Sequence, residues 1–62
     1  MMKYGDLVEV IGFYKNKYKD KIGMVVGLNP YKYEIEVRFK NIFGFYELNY
    51  RTFPKKELKL IK

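Results

Sequence analysis

The chain has 62 residues, which is enough for one domain with one small hydrophobic core. It contains no Ser, Cys or His, so Ser-His-Asp and Cys-His catalysis, disulfide bonds, and zinc sites built from Cys and His are excluded. The formal net charge of +6 points to anionic partners such as nucleic acid, an acidic protein surface or anionic lipid.

The first part of the chain predicts two strands separated by a basic loop. Residues 7–11 alternate apolar and charged positions and are rich in β-branched side chains, which indicates a first strand. Residues 13–21 show no clean period and predict an exposed loop. Residues 22–28 predict a second strand, and its internal glycines Gly23 and Gly27 are typical of bulges or tight bends.

The clearest strand is predicted at residues 33–39, after a turn at residues 29–32. Here Tyr33, Ile35, Val37 and Phe39 alternate with charged residues. This strict period of two predicts one buried and one solvated face.

The last part of the chain predicts two further strands. Residues 42–46 are an apolar run with a central glycine and predict a fourth strand, with residues 48–52 ambiguous as an extension of it. Residues 54–58 begin with proline and predict a single 3₁₀ turn, and residues 59–61 predict a last short strand. Five short strands predict an all-β fold, namely one five-stranded SH3-like barrel with a 3₁₀ turn before the last strand.

The basic loop is the first candidate binding segment. Its aromatic side chains alternate with lysines: Phe13, Tyr14, Lys15, Lys17, Tyr18, Lys19 and Lys21. Such a mixture fits nucleic acid, with rings that stack on bases and ammonium groups that meet phosphates. It equally fits an acidic protein surface, with tyrosine as the anchor. A third interpretation is that the rings fold back onto the barrel and the lysines serve solubility.

Two other sets of residues are candidates for binding. The basic tail contributes Lys55 and Lys56, which are also interpreted as lysines that protect an edge strand. Arg51 lies beside Tyr50 in a pair typical of interface hot spots, and also of an ordinary barrel rim. We interpret the carboxylates that share one strand face, Glu34 and Glu36, as a solvated surface rather than a catalytic pair or a cation site.

Two families resemble this chain. The segment 5–25 resembles a KOW-type SH3-like domain through Gly5, Asp6, Val8, Val10, Ile11, Gly23 and Val25. The whole chain resembles the SH3-like reaction-centre protein of photosystem I through Gly23-x-Val25, Val37-Arg38-Phe39 and Asn49-x-x-x-Phe53-x-x-x-Glu57-Leu58. Endings of the last kind are also similar to those of small phage SH3-like proteins.

Each resemblance implies a function. The KOW resemblance implies binding to RNA or DNA. The resemblance to the photosystem I protein implies a docking subunit that holds an acidic electron carrier, ferredoxin, by basic residues on its surface. Both resemblances imply the SH3-like fold, which does not by itself define a function.

The combined expectation is a non-enzymatic basic module without cofactor or metal. It docks to an acidic protein partner or is seated in a larger complex; the alternative is a KOW-like nucleic-acid-binding module. Docking predicts a mixed patch with an apolar centre and a basic rim, whereas nucleic-acid binding predicts one contiguous basic face with exposed rings.

The sequence also bears on where the protein is found. It has no signal-peptide pattern and no apolar run of the ~20 residues that span a bilayer. We therefore expect a soluble intracellular protein without membrane insertion. The photosystem resemblance implies a peripheral place on a membrane complex instead.

Overall fold

A computed structural model describes residues 2–12, 16–30 and 33–62 of this chain. Within these ranges, five strands form one antiparallel sheet in the order β4-β3-β2-β1-β5. The strands are β1 (Leu7–Val10), β2 (Ile22–Asn29), β3 (Glu34–Phe39), β4 (Arg51–Pro54) and β5 (Leu58–Leu60). The all-β prediction is therefore confirmed. The described residues contain no helix long and apolar enough to cross a membrane.

Two 3₁₀ turns accompany the strands. The predicted turn before the last strand is confirmed at Lys55–Glu57, immediately after β4. A second turn, Asn16–Tyr18, precedes β2 and was not predicted. This turn is short, as is usual for 3₁₀ geometry, and it brings the basic loop back towards the sheet.

The prediction of a strand at residues 42–46 is wrong, because Asn41 folds this segment into a turn. The backbone N–H of Gly44 donates to the carbonyl oxygen of Asn41 over 3.0 Å, and Gly44 takes a φ of +86°. The Asn41 side-chain oxygen accepts hydrogen bonds from the backbone N–H groups of Phe43 (2.9 Å) and Phe45 (3.2 Å). An asparagine side chain that bonds the following backbone competes with strand pairing. The fourth strand forms later, at Arg51–Pro54.

The prediction that Tyr33 belongs to the buried stripe of β3 is also wrong. The strand begins at Glu34, while Tyr33 has a φ of +54° and is 83% exposed. A positive φ takes this residue out of the strand and turns its side chain to solvent. Ile35, Val37 and Phe39 are buried as predicted.

The glycines of β2 allow the strand to bend and to pack closely against β3. The pairing register shifts between Val25 and Gly27, which is a β-bulge of the kind predicted from the glycines. Gly23 is buried, and a Cβ at this position would lie 2.5 Å from Val37 Cγ1 and 2.9 Å from the Arg38 carbonyl oxygen. Only a glycine fits this contact without displacing β3.

The core receives at least one side chain from every strand. Its buried members are Met2, Val8, Val10, Tyr18, Val25, Ile35, Val37, Phe39, Phe53 and Leu58. Three rings pack together at one end: Tyr18 stacks on Phe39 with a centroid distance of 4.8 Å, and Phe53 meets both edge-on at 5.9 Å. Such ring pairs stabilise beyond the area that they bury.

Candidate functional site

A basic cleft of about 420 Å³ lies between the first 3₁₀ turn and the loop after β3. We call it the cationic cleft. Its lining residues are Lys17, Tyr18, Lys21, Phe39, Lys40, Asn41, Ile42, Glu47 and Arg51. Four of these side chains are cationic and one is a carboxylate, so the cleft carries a local excess of positive charge. Since the chain as a whole is also basic, this is where an anionic group is attracted.

Tyr18 connects the cationic cleft to the core. Its ring is buried among Phe39 and Phe53, with only 8% of the residue exposed. The Nζ atoms of Lys17 and Lys21 lie 5.5 and 5.9 Å from the ring centroid. At these distances the ring attracts both ammonium groups, and it therefore gathers charges that would otherwise repel one another.

Arg51 is oriented by two hydrogen bonds. Its Nε donates to the Tyr18 hydroxyl over 2.7 Å, and one terminal guanidinium nitrogen donates to the Tyr50 carbonyl oxygen over 3.2 Å. Its Cζ lies 5.9 Å from the Tyr18 ring centroid. A half-buried guanidinium held in this way loses less conformational entropy when it binds a carboxylate or phosphate.

Removing the Tyr18 hydroxyl tests this arrangement. Tyr18→Phe keeps the stacked ring but removes the acceptor of the Arg51 Nε hydrogen bond. We expect the free energy of unfolding to fall by about 1 kcal/mol, because a partly buried charged donor loses its partner. Urea denaturation followed by circular dichroism measures the change. An unchanged stability would show that water replaces the hydroxyl at no cost.

The predicted site residues are distributed over several places. Lys17, Lys21 and Arg51 meet at the cationic cleft. Lys19 forms an ion pair with Asp20, with 3.4 Å between Nζ and Oδ1. The remaining members of the predicted loop set, Phe13, Tyr14 and Lys15, lie outside the described residues.

The prediction that Tyr18 offers its ring to a partner does not fit its burial. The ring belongs to the core, as in the interpretation in which the loop aromatics fold back onto the sheet. Only its hydroxyl takes part in the polar side of the cleft, where it accepts from Arg51. Tyr18 therefore positions cations rather than stacking on a ligand.

The basic tail lies apart from the cationic cleft. Lys55 and Lys56 are exposed in the second 3₁₀ turn. Lys55 lines a different, more apolar cleft of about 270 Å³, together with Met2, Leu28 and Tyr33 among others. The loop and the tail thus supply charge to separate places.

Sequence reasoning missed the contribution of the loop after β3. Lys40, Ile42 and Glu47 line the cationic cleft, yet none of them was a predicted site residue. The signal that could have found this loop is the spacing of Asn41 and Gly44, which suits the first and fourth positions of a type I turn. The apolar run between them dominated the prediction instead.

This loop carries large apolar side chains that are exposed to solvent. Ile42 is 93% exposed, Phe43 76%, Phe45 72% and Leu48 84%. We call these four residues the apolar tip. Because Ile42 also lines the cationic cleft, the apolar tip and the charged cleft are neighbours on the surface.

The carboxylates of β3 give no sign of a second site. Glu34 and Glu36 are half-buried and alternate with the buried Ile35 and Val37. Among the residues with described positions, no group of three or more acidic side chains lies close enough to hold a metal ion. Compared with models of protein families, with curated proteins and with solved structures, the chain matches none of them.

Proposed function

We propose that this chain is a small non-enzymatic binding module that holds an acidic protein partner at the cationic cleft. The observation that carries the proposal is the arrangement of Lys17, Lys21 and Arg51 around one buried tyrosine ring. Fixing three cations at one place raises the local potential and steers an acidic surface towards it.

We further propose that the sheet closes into an SH3-like barrel. The strand order supports this, because β5 returns beside β1 while β4 lies at the other end of the sheet. The bulge in β2 supports it as well, since a bulged strand bends and can take part in both halves of a small barrel.

An acidic protein fits the cleft better than nucleic acid does. The aromatic ring within the cleft is buried, so its face is not offered to a base. The cleft also contains Glu47 and Ile42, which makes it a mixed surface with an apolar neighbour rather than a uniformly basic one. A polar rim around an apolar centre is the usual composition of a protein-protein interface.

Reversing the charge of the cleft tests the proposed function. K17E/K21E/K40E changes three cleft cations, while K55E/K56E/K59E applies the same change in charge to the tail. We expect the cleft variant to bind its protein partner at least about tenfold more weakly, because paired charges at an interface are replaced by repulsion. The tail variant keeps most of its affinity. The measurement is capture from an extract of the cells that make the protein, with and without nuclease.

Three outcomes are informative. Partner capture that survives nuclease and is lost only in the cleft variant supports the proposed function. Capture that disappears with nuclease would instead support the KOW-like nucleic-acid-binding alternative. An equal loss in both variants would mean that overall charge, and not the cleft, determines binding.

A further inference from the structure

The apolar tip is an unusual surface for a small folded domain. A single exposed apolar residue needs no explanation, but Ile42, Phe43, Phe45 and Leu48 lie together in one loop, each at least 72% exposed. Clustered apolar side chains of this size mark surfaces that are covered in the working state of a protein.

The backbone of the apolar tip is prepared for burial. The Asn41 N–H donates to the Phe45 carbonyl oxygen over 2.8 Å, and the Gly44 N–H donates to the Asn41 carbonyl oxygen. The N–H groups of Phe43 and Phe45 are satisfied by the Asn41 side chain. Covering the loop therefore leaves none of these donors without an acceptor, and the apolar gain is not cancelled by their desolvation.

The area of the apolar tip suits a second copy of the chain. Four large side chains at this exposure offer roughly 500 Å², whereas each partner in a standard interface contributes about 800 Å². The half-exposed Tyr50 and the polar residues of the same loop can supply much of the remainder. An apolar surface is also self-complementary, as a two-fold contact between identical chains requires.

The charges of the loop favour a second copy over an anionic ligand. Between Asn41 and Tyr50 the only charged side chain is Glu47, so the apolar tip itself offers no cation to a lipid headgroup or a phosphate. Lys40 precedes the loop, and its Nζ lies 5.3 Å from the Tyr46 ring centroid. A two-fold contact between loops can pair Lys40 of one copy with Glu47 of the other, which relieves the repulsion between two basic chains.

We propose that the apolar tip is a self-association surface through which two copies of this chain form a symmetric dimer. This goes beyond the proposed function, because it concerns the pairing of two chains and not the binding of an acidic partner at the cationic cleft. The two surfaces share Ile42, so the dimer brings its two clefts close to the two-fold axis.

Sedimentation equilibrium of the full chain tests the dimer. We expect the apparent mass to rise from one to two chains between about 1 µM and about 500 µM, because an interface of this size forms a dimer of moderate affinity. F43S/F45S should remain monomeric over this whole range. The matched control Y4S/Y33S replaces two rings that are as exposed but lie outside the loop, and it should dimerise like the wild type.

Introduced cysteines provide a second and independent measurement. The chain has no cysteine, so a single added thiol forms a disulfide only with another copy. Leu48→Cys should cross-link into a covalent dimer under mild oxidation far faster than the control Tyr4→Cys. Circular dichroism confirms that each variant is folded.

Three results would overturn the proposal. The first is a monomer at the highest concentration, and the second is a dimer that F43S/F45S leaves intact. The third is a monomer whose binding to vesicles containing phosphatidylserine is lost in F43S/F45S, which would assign the apolar tip to a lipid surface.

Discussion

Phe53→Ala is expected to remove most of the stability of this protein. Phe53 is fully buried and contacts the rings of Tyr18 and Phe39 edge-on. Replacing such a phenylalanine by alanine costs about 3–5 kcal/mol, because apolar contacts are lost and a cavity remains. A domain of 62 residues has about 3–9 kcal/mol of stability in total, so a large fraction of the variant should be unfolded at room temperature.

The matched control for this change is Phe43→Ala. The residue type is the same, but Phe43 is 76% exposed in the apolar tip. We expect its free energy of unfolding to change by no more than about 0.5 kcal/mol when the protein is dilute enough to be monomeric. Urea denaturation followed by far-ultraviolet circular dichroism compares the two variants. Similar losses in both would mean that the three-ring cluster does not carry the core.

Gly23→Ala is expected to have the second-largest effect. The new Cβ would lie 2.5 Å from Val37 Cγ1, 2.9 Å from the Arg38 carbonyl oxygen and 3.0 Å from Phe39 Cδ1. Relief requires that strand β3 move away from β2, which disturbs the longest interstrand pairing of the sheet. Overpacking of this kind costs about 2–3 kcal/mol, and we expect the melting temperature to fall by roughly 10–20 °C.

Gly27→Ala in the same strand is the matched control. Its Cβ would meet the Glu36 Oε1 atom, the far end of a flexible side chain that can rotate away. We therefore expect a change in melting temperature of less than about 5 °C. Thermal unfolding of both variants separates a clash with the backbone from a clash with a mobile carboxylate. If Gly27→Ala were the more harmful change, the bulge beside it would be the real constraint on β2.

The three-ring cluster links the stability of this protein to its candidate site. Tyr18 is part of the core through its ring and part of the cationic cleft through its hydroxyl. Damage to the core should therefore also release the cations that surround this ring. Tyr18→Phe separates the two roles, because it retains the ring contacts and removes only the Arg51 hydrogen bond.

The regular parts of the fold were predictable from the sequence. The alternation in residues 34–39 predicted β3 and its buried Ile35, Val37 and Phe39, because a period of two directly reflects the geometry of a strand. Glycines within a β-branched segment likewise predicted the bulge of β2. The 3₁₀ turn at Lys55–Glu57 followed from a proline that fits the start of a helical turn and a segment too short for more.

The candidate site was predicted only in part. Lys17, Lys21 and Arg51 were recognised as basic residues near aromatic rings, but the sequence could not show that they surround the same ring. Lys40 and Glu47 were missed, since they enter the cationic cleft only through the turn that Asn41 forms. That turn wins over strand pairing because the asparagine side chain satisfies two backbone donors locally.

The sequence by itself determined the class of fold, the stripe of β3 and the basic character of the chain, because these depend on local periodicity and composition. The tertiary structure decided which aromatic residues are core and which are surface. Tyr18, in a basic loop, is buried, whereas the apolar run Ile42, Phe43 and Phe45 is exposed. The physical reason is that burial depends on contacts between distant segments: Tyr18 finds Phe39 and Phe53 across the sheet, while the hydrogen bonds of Asn41 hold the apolar run away from it.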